Sequence, residues 1–351
     1  MQSKVLIIFL AALAFLGSAY LLMNEDQSPP DNNAGGQRLF PQLEQQLNNI
    51  TRIRVENGGN SYEVIKKNQQ WQLPDKGGYP VLFERVKPLI LGIALLEKVE
   101  PKTNRPKNYA RLGVQEPSPD SGNLRLSLYT SGNDPVASLI IGGIRSGMIS
   151  GGRDGIYARV SDQPRAWLLA GHLDLPQSPI DWVERKVIHI KPKEVRRVAI
   201  EQPDGSRLVI EKPRQGAPNY RLMNKPAGTT LKPGVDLNTL ARGIAGLKMD
   251  DVLVRSQAEF PEAEAVAAVF DTWDGLRVTA YTVERAGNLF TWFDVGAVPL
   301  DMADLTKVRT THRTDAELRS RLADWVYQLP RRRGEKLRTR LDAITTPSPD
   351  D

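Results

Sequence analysis

Apolar and polar residues alternate along much of the chain, which is the pattern of β-strands that bury one face. The first such stretch places Ile53 and Val55 between charged neighbours, and the alternation resumes after Gly58-Gly59 and continues to Trp71. Because glycine adopts positive φ at little cost, the glycine pair predicts a hairpin turn. This part of the chain is therefore predicted to form a β-meander.

A helical period follows the meander. Apolar residues recur every three or four positions over residues 81–99, which predicts one amphipathic helix that Pro88 kinks. Residues 108–113 suit a further short helix. Alternation then returns and predicts strands at residues 124–130, 137–141, 156–160 and 167–169. The first half of the chain is therefore predicted to be α+β.

The second half repeats this order of elements. Its opening meander places Tyr220 where the first half has Trp71. The other apolar positions correspond in the same order, Ile53, Val55, Tyr62, Val64 and Leu73 with Val198, Ile200, Leu208, Ile210 and Leu222. Asp236 then suits the N-cap of a helix whose apolar positions are Leu237, Leu240, Ile244 and Leu247.

Later segments match in pairs, residues 123–130 with 275–282, residues 139–143 with 292–296, and Asp181-Trp182 with Asp324-Trp325. Ordered matches of this kind predict an internal duplication. The expected fold is α+β, with an N-terminal transmembrane helix followed by two tandem similar domains, each of antiparallel β-meanders packed with one main helix. The expected bounds are an anchor at residues 1–24, a flexible tether at 25–38, the two domains at 39–187 and 188–345, and a polar tail at 346–351.

Residues 5–23 are apolar and uncharged. A helix of this length, at about 1.5 Å rise per residue, crosses a hydrocarbon core of about 30 Å. A cleaved signal peptide is the alternative, although Ala19 is followed by large residues instead of an A-x-A-like site. Lys4 precedes the stretch, and Glu25 and Asp26 follow it, so the positive-inside tendency places the N-terminus in the cytoplasm. We therefore expect a single-pass protein of the bacterial inner membrane, in contact with lipid through residues 5–23 and with the bulk of its chain in the periplasm.

The composition excludes several kinds of chemistry. The chain has no Cys, which excludes disulfides, thiolate nucleophiles and cysteine-ligated metals. Its net charge of +6 suits an acidic partner or an anionic lipid surface. Nucleic acid is not an expected partner outside the cytoplasmic membrane.

No motif predicts a metal or cofactor site. The three histidines have no ligand-type partner at helical spacing: His172, His189 and His312. The glycine-rich run at residues 142–155 lacks the ending of a phosphate loop and lies between two predicted strands. It therefore predicts a long hairpin loop, in which Arg145 and Arg153 are a candidate contact surface.

Two other segments are candidates for function. Carboxylates from the two Asp-Trp pairs could act as acid and base, but Asp181 follows a helix-start pattern and each Trp suits a structural role inside its own domain. After Pro330, the basic run of Arg331, Arg332 and Arg333 suits either a solvated helix face or contact with anionic lipid or an acidic partner.

A series of short motifs makes the chain resemble a known family. The motifs are Leu39-Phe40-Pro41-Gln42-Leu43, Trp71-Gln72-Leu73, Gly78-Tyr79-Pro80 and Leu112-Gly113-Val114-Gln115-Glu116-Pro117. In this order they resemble the family of domain of unknown function 4340 (DUF4340). Members of that family are generally encoded beside gliding-motility-type ABC transporter components, and no catalytic residues are established for them. The resemblance implies an extracytoplasmic accessory protein of a membrane transporter.

We therefore expect a membrane-anchored, non-enzymatic accessory or binding module without a cofactor. Its expected partner is the permease or an auxiliary subunit of an ABC-type transporter. The alternatives are a cell-envelope hydrolase that uses carboxylates and a polysaccharide- or lipid-binding protein of the envelope.

Overall fold

A computed structural model of the chain describes residues 35–298 and 315–348. These residues form a mixed structure of mostly antiparallel sheets with few helices. The predicted anchor at residues 5–23 lies outside them, and no helix within them is long and apolar enough to cross a membrane. The chain divides into two compact units. The first comprises the described residues up to Trp71 together with Phe83–Leu175, and the second comprises Gln72–Leu82 together with the described residues from Pro176 onward.

One antiparallel sheet contains the nine strands of the first half of the chain. They are β1 (Arg52–Asn57), β2 (Asn60–Lys67), β3 (Gln70–Leu73), β4 (Tyr79–Pro80), β5 (Glu97–Pro101), β6 (Leu124–Tyr129), β7 (Ala137–Ile149), β8 (Arg153–Val160) and β9 (Ala166–Gly171). The order across the sheet is β4-β3-β2-β1-β6-β7-β8-β9-β5.

The main helix of the first half is α1 (Phe83–Ala94), which buries Val86, Leu89 and Ile93. It is shorter than the helix predicted over residues 81–99, because the chain turns after Ala94 and β5 pairs with β9. Short 3-10 helices lie at Leu43–Asn49, Pro74–Lys76, Pro106–Arg111, Pro179–Trp182, Arg255–Gln257 and Glu262–Glu264.

The second half contains an eight-stranded antiparallel sheet and two small strand pairs. Its strands are β10 (Lys186–Ile188), β11 (Val195–Glu201), β12 (Arg207–Glu211), β13 (Arg221–Leu222), β14 (Thr229–Leu231), β15 (Leu247–Lys248), β16 (Asp251–Val254), β17 (Val266–Thr272), β18 (Leu276–Arg285), β19 (Asn288–Ala297), β20 (Trp325–Leu329) and β21 (Thr345–Pro347). The order in the large sheet is β13-β12-β11-β17-β18-β19-β20-β16, and the small pairs are β10-β15 and β14-β21. Among the helices are α2 (Asn238–Ala241), α3 (Arg331–Leu337) and α4 (Leu341–Ile344), and the described residues 315–322 are also helical.

Apart from β4, the two large sheets have the same order of strands. The registers of the opening meanders also agree, since Ile53 pairs with Val64 and Val198 pairs with Ile210. Trp71 and Tyr220 are both buried.

The later strands correspond differently from the sequence matches. Strand β6 pairs with β1, and β17 pairs with β11, so β6 corresponds to β17. The sequence match of residues 123–130 with 275–282 instead joins β6 to β18, and the match of residues 139–143 with 292–296 joins β7 to β19. Both are displaced by one strand. The physical reason is that neighbouring strands of a meander share the same alternating pattern, which does not specify which strand is which.

The tryptophan correspondence requires a similar correction. Trp182 lies in a 3-10 helix, whereas Trp325 begins β20. Trp167 pairs with Pro101 of β5, and Trp325 pairs with Val254 of β16. The strand order therefore makes Trp167 the counterpart of Trp325.

Two predicted segments of the second half also differ from the structure. The helix expected from Asp236 to Leu247 is reduced to α2, because Gly243 fits closely against neighbouring side chains and Gly246 adopts positive φ. The predicted polar tail begins inside β21, which pairs with β14. The division into units after Leu175 precedes the expected domain boundary after residue 187.

Candidate functional site

Strands β7 and β8 continue beyond the rest of their sheet as a two-stranded ribbon. Pairing of β6 with β7 ends at Ile141, and pairing of β9 with β8 begins at Asp154. Within the described parts of the chain, residues 144–153 pair only within the β7–β8 hairpin. We call residues 144–153 the ribbon. The glycine-rich run was predicted to form a long hairpin loop; it does connect two strands of a hairpin, but β7 and β8 extend through most of it.

The ribbon exposes large apolar side chains. Ile144 is 40% exposed and Met148 is 50% exposed. The adjacent Arg145 is exposed and has no ion pair among the described residues. Exposed apolar side chains grouped beside a charge are typical of a surface that contacts another molecule.

The ribbon is braced by Asp154 at its base. The Asp154 carboxylate accepts a hydrogen bond from the backbone N–H of Gly147 at 3.2 Å and lies 3.0 Å from His172 Nδ1. The hydrogen bond with His172, followed by the one from the Gly147 N–H, holds the pKa of the Asp154 carboxyl below its ordinary value. Arg153 forms an ion pair with Glu97. Of the two arginines predicted to make contacts, Arg153 is therefore engaged internally, whereas Arg145 is not.

The counterpart of the ribbon in the second sheet, the β18–β19 hairpin, is covered at its end. The guanidinium of Arg331 donates to the Gly287 carbonyl oxygen at 3.1 Å and pairs with Glu284 at 3.3 Å, and Arg338 pairs with Glu284 at 2.7 Å. The hydrogen bond from Arg338, followed by that from Arg331, lowers the pKa of the Glu284 carboxyl. Helix α3 thus secures this hairpin, while the ribbon of the first sheet has no such cover among the described residues.

The predicted basic surface is consequently smaller than the sequence indicates. Arg331 binds the Gly287 carbonyl oxygen and Glu284 of the β18–β19 hairpin. Arg333 donates to the backbone carbonyl oxygen of Ala245. Burial lowers the pKa of the Arg333 guanidinium. Arg332 is exposed and has no ion pair in the part of the chain that the structure describes.

The two candidate catalytic carboxylates lie on different elements. Asp181 belongs to a capping box, and its Oδ2 accepts hydrogen bonds from the backbone N–H of Ser178 at 3.0 Å and from the Ser178 hydroxyl at 2.9 Å. Trp182 beside it is fully buried. Asp324 is exposed, and its backbone carbonyl oxygen accepts from Arg255 N–H. No hydrogen bond or ion pair joins the two carboxylates within the described residues. The carboxylate of Asp181 therefore has a structural role in the capping box.

The histidines are also separate. His172 contacts Asp154, and His312 lies outside the described residues. In residues 35–298 and 315–348, no group of three metal-type ligands comes together.

The second unit contains a packing cluster that the sequence pattern did not indicate. Lys76 Nζ lies 2.7 Å from the carboxylate of Asp251, and the ring of Tyr79 meets that of Trp325 edge-on at a centroid distance of 4.8 Å. Tyr79 also hydrogen-bonds Tyr327, and burial raises the pKa of both hydroxyls. The Gly78-Tyr79-Pro80 motif was visible in the sequence, but its partners are distant along the chain and no local pattern identifies them.

A family comparison agrees with these motifs. The family described as "Domain of unknown function (DUF4340)" matches residues 71–268, more than half of the 351-residue chain. The chain belongs to this family. No curated protein and no solved structure matches it.

The DUF4340 match includes the ribbon and the segment that holds its base. At the Leu-Gly motif, Gly113 has a φ of +72° and packs against Gly142 of β7. The Gly143 N–H donates to the Leu112 carbonyl oxygen at 3.0 Å. Arg159 of β8 extends this contact, since its Nε donates to the Val114 carbonyl oxygen at 3.1 Å. The motif therefore fixes the strands from which the ribbon extends.

Proposed function

We propose that this DUF4340 protein is a membrane-anchored, extracytoplasmic accessory module, and that it binds the permease or an auxiliary subunit of an ABC-type transporter through the ribbon. The observation that carries the proposal is the exposure of Ile144 and Met148 on a hairpin that is braced at its base. The partner is proposed to be an ABC transporter because members of the family are generally encoded beside ABC transporter components.

The chemistry of the ribbon suits contact with a protein. Met148 is flexible and polarizable, so it adapts to the surface of a partner, and Arg145 adds a charge that is not engaged internally. A few such anchors supply most of the energy of an interface. Bracing by Asp154 lowers the entropy that the ribbon loses on binding.

We also infer that the two halves arose by duplication and now have unequal roles. The shared strand order supports this inference. In the second half, α3 covers the hairpin that corresponds to the ribbon. Of these two described hairpins, the one in the first half is then left open to a partner.

A double substitution tests the proposal. Ile144→Ser with Met148→Ser removes the apolar contacts from exposed positions, so the chain should still fold and reach the membrane. We expect co-purification of the transporter subunit from native membranes to fall by about tenfold or more, as for the loss of hot-spot residues. Met223→Ser is the matched control, because Met223 is 58% exposed and lies outside the ribbon. Unchanged co-purification with the double variant would contradict the proposal.

A further inference from the structure

The first unit contains a second surface with the form of a binding site. An apolar pocket of about 200 Å³ adjoins a polar cleft of about 770 Å³, and Asn48 and Lys66 line both. We propose that this composite site binds an acidic peptide in which a carboxylate lies next to an apolar side chain. The proposal concerns a different surface from the ribbon and does not depend on the transporter.

The apolar pocket is suited to one side chain. It lies between α1, β3 and the 3-10 helix at Leu43–Asn49, and its lining includes Trp71, Ile90 and the half-exposed Phe83. A cavity of about 150 Å³ lined by aliphatic and aromatic residues holds a benzene molecule. The pocket is therefore the right size for a ring or a branched aliphatic group and is too small for a membrane acyl chain.

The charges at the pocket favour an anion. Lys66 and Lys87 line it, and no carboxylate lines either the pocket or the cleft in the described chain. Neither lysine has an ion pair among the described residues. Lys66 lies where pocket and cleft meet, so a carboxylate on its ammonium group would stand directly beside the group in the pocket.

The cleft offers hydrogen bonds to a peptide backbone. Five amide side chains line it: Gln46, Asn48, Asn49, Asn68 and Gln69. Each amide carries both donors and acceptors, as a peptide group does. Within the described chain, the aromatic rings of the composite site, Trp71 and Phe83, lie in the apolar pocket, so the cleft itself has no ring on which a sugar could stack. A peptide also supplies a carboxylate and an apolar group at adjacent positions, which matches the junction at Lys66.

The turn between β2 and β3 provides an independent observation. Asn68 has a φ of 51° and Gln69 has a φ of 62°. Hairpin turns with two such residues favour Asn-Gly, because glycine adopts positive φ without strain. Glutamine at the second position carries backbone strain and places an amide in the cleft. Backbone strain of this kind is frequent at binding sites.

An array of synthetic decapeptides tests the proposal with the purified full chain. The peptides combine Asp or Glu with each apolar residue at adjacent positions, in Gly/Ser flanks, and matched peptides carry Asn or Gln instead. We expect binding to peptides with an acidic-apolar pair and at least tenfold weaker binding to the amide peptides. Failure of every acidic-apolar peptide would overturn the proposal, and so would binding that does not require the acid. Preferential binding to soluble oligosaccharides or to anionic lipid vesicles would also overturn it.

Variants locate the binding. Lys66→Gln should weaken binding at least tenfold, whereas Lys67→Gln, at the next position of β2 and outside both cavities, should not change it. Phe83→Ser should remove the discrimination among apolar side chains and keep the requirement for an acid. Gln69→Gly should weaken binding while the thermal midpoint stays equal or rises, because the turn loses its strain. Equal effects of Lys66→Gln and Lys67→Gln would contradict the site.

Discussion

At the scale of single residues, the base of the ribbon depends on a close approach between two backbone segments. Gly142 has no room for a Cβ, because that atom would overlap the carbonyl oxygen of Leu112. The neighbouring Gly143 has room, since a Cβ there would meet only Tyr157 at an ordinary contact distance of 3.7 Å. Two adjacent glycines of one strand therefore differ in their tolerance of a methyl group.

We expect Gly142→Ala to lower the free energy of unfolding by about 2 kcal/mol, because the strand must shift away from the Leu-Gly segment. Gly143→Ala is the matched control and should change it by less than about 0.5 kcal/mol. Urea denaturation of the two variants measures both values. Equal destabilisation would show that the approach of Leu112 does not constrain this strand.

Residue-scale contacts also mark the limit of what the sequence could predict. The run around Arg145 was expected to connect two strands of a hairpin, because glycine-rich segments between strands have a local signature, but it was expected as a loop and most of it belongs to β7 and β8. The ion pairs of Arg153 with Glu97 and of Arg331 with Glu284 could not be expected, since these partners are far away along the chain. The arginines in the sequence therefore predicted a larger basic surface than the described residues leave unpaired.

At the scale of elements, the ribbon is joined at its base to Asp154, whose carboxylate accepts a hydrogen bond from the Gly147 N–H. Its depressed pKa means that the folded state favours the carboxylate. Such a group contributes stability above its unfolded pKa and loses that contribution as the pH falls through the folded value. The ordinary value for Asp154 is 3.8, so the loss begins below about pH 4.

We therefore expect amide hydrogen exchange at Gly147, corrected for its intrinsic rate, to be slow near neutral pH and to accelerate below about pH 4. Asp154→Asn should give faster exchange already at neutral pH, because it removes the charge that His172 and the Gly147 N–H contact. Asp162→Asn is a control on the same unit, outside the ribbon. Exchange at Gly147 that is independent of pH in the wild-type chain would be inconsistent with this role of Asp154.

The elements themselves were predictable to different degrees. Alternation located the opening strands of both halves in the correct register, because Ile53 and Val198 occupy equivalent positions in the pattern of apolar residues. It could not distinguish adjacent strands later in the sheet, where every strand carries the same pattern. The helix after Asp236 was overestimated, since Gly243 and Gly246 interrupt a period that the apolar positions alone continue.

At the scale of the whole molecule, the two large sheets have the same strand order apart from β4, but their corresponding hairpins make different contacts. The second sheet has its corresponding hairpin secured by α3, and the first has a ribbon with exposed Ile144 and Met148. Strand order is a global property that a single sequence reveals only through repeated patterns. The difference between the hairpins depends on side-chain contacts and emerges only in the folded chain.

Photo-cross-linking in native membranes tests the accessory function most directly. A photoreactive amino acid replaces Met148 in the full chain, and a second protein carries it at Met223, which is at least as exposed. We expect position 148 to form an adduct with the permease or an auxiliary subunit of an ABC-type transporter, identified by mass spectrometry, and position 223 to form none. Absence of this adduct at position 148, or an equally strong one at position 223, would contradict the proposed accessory function.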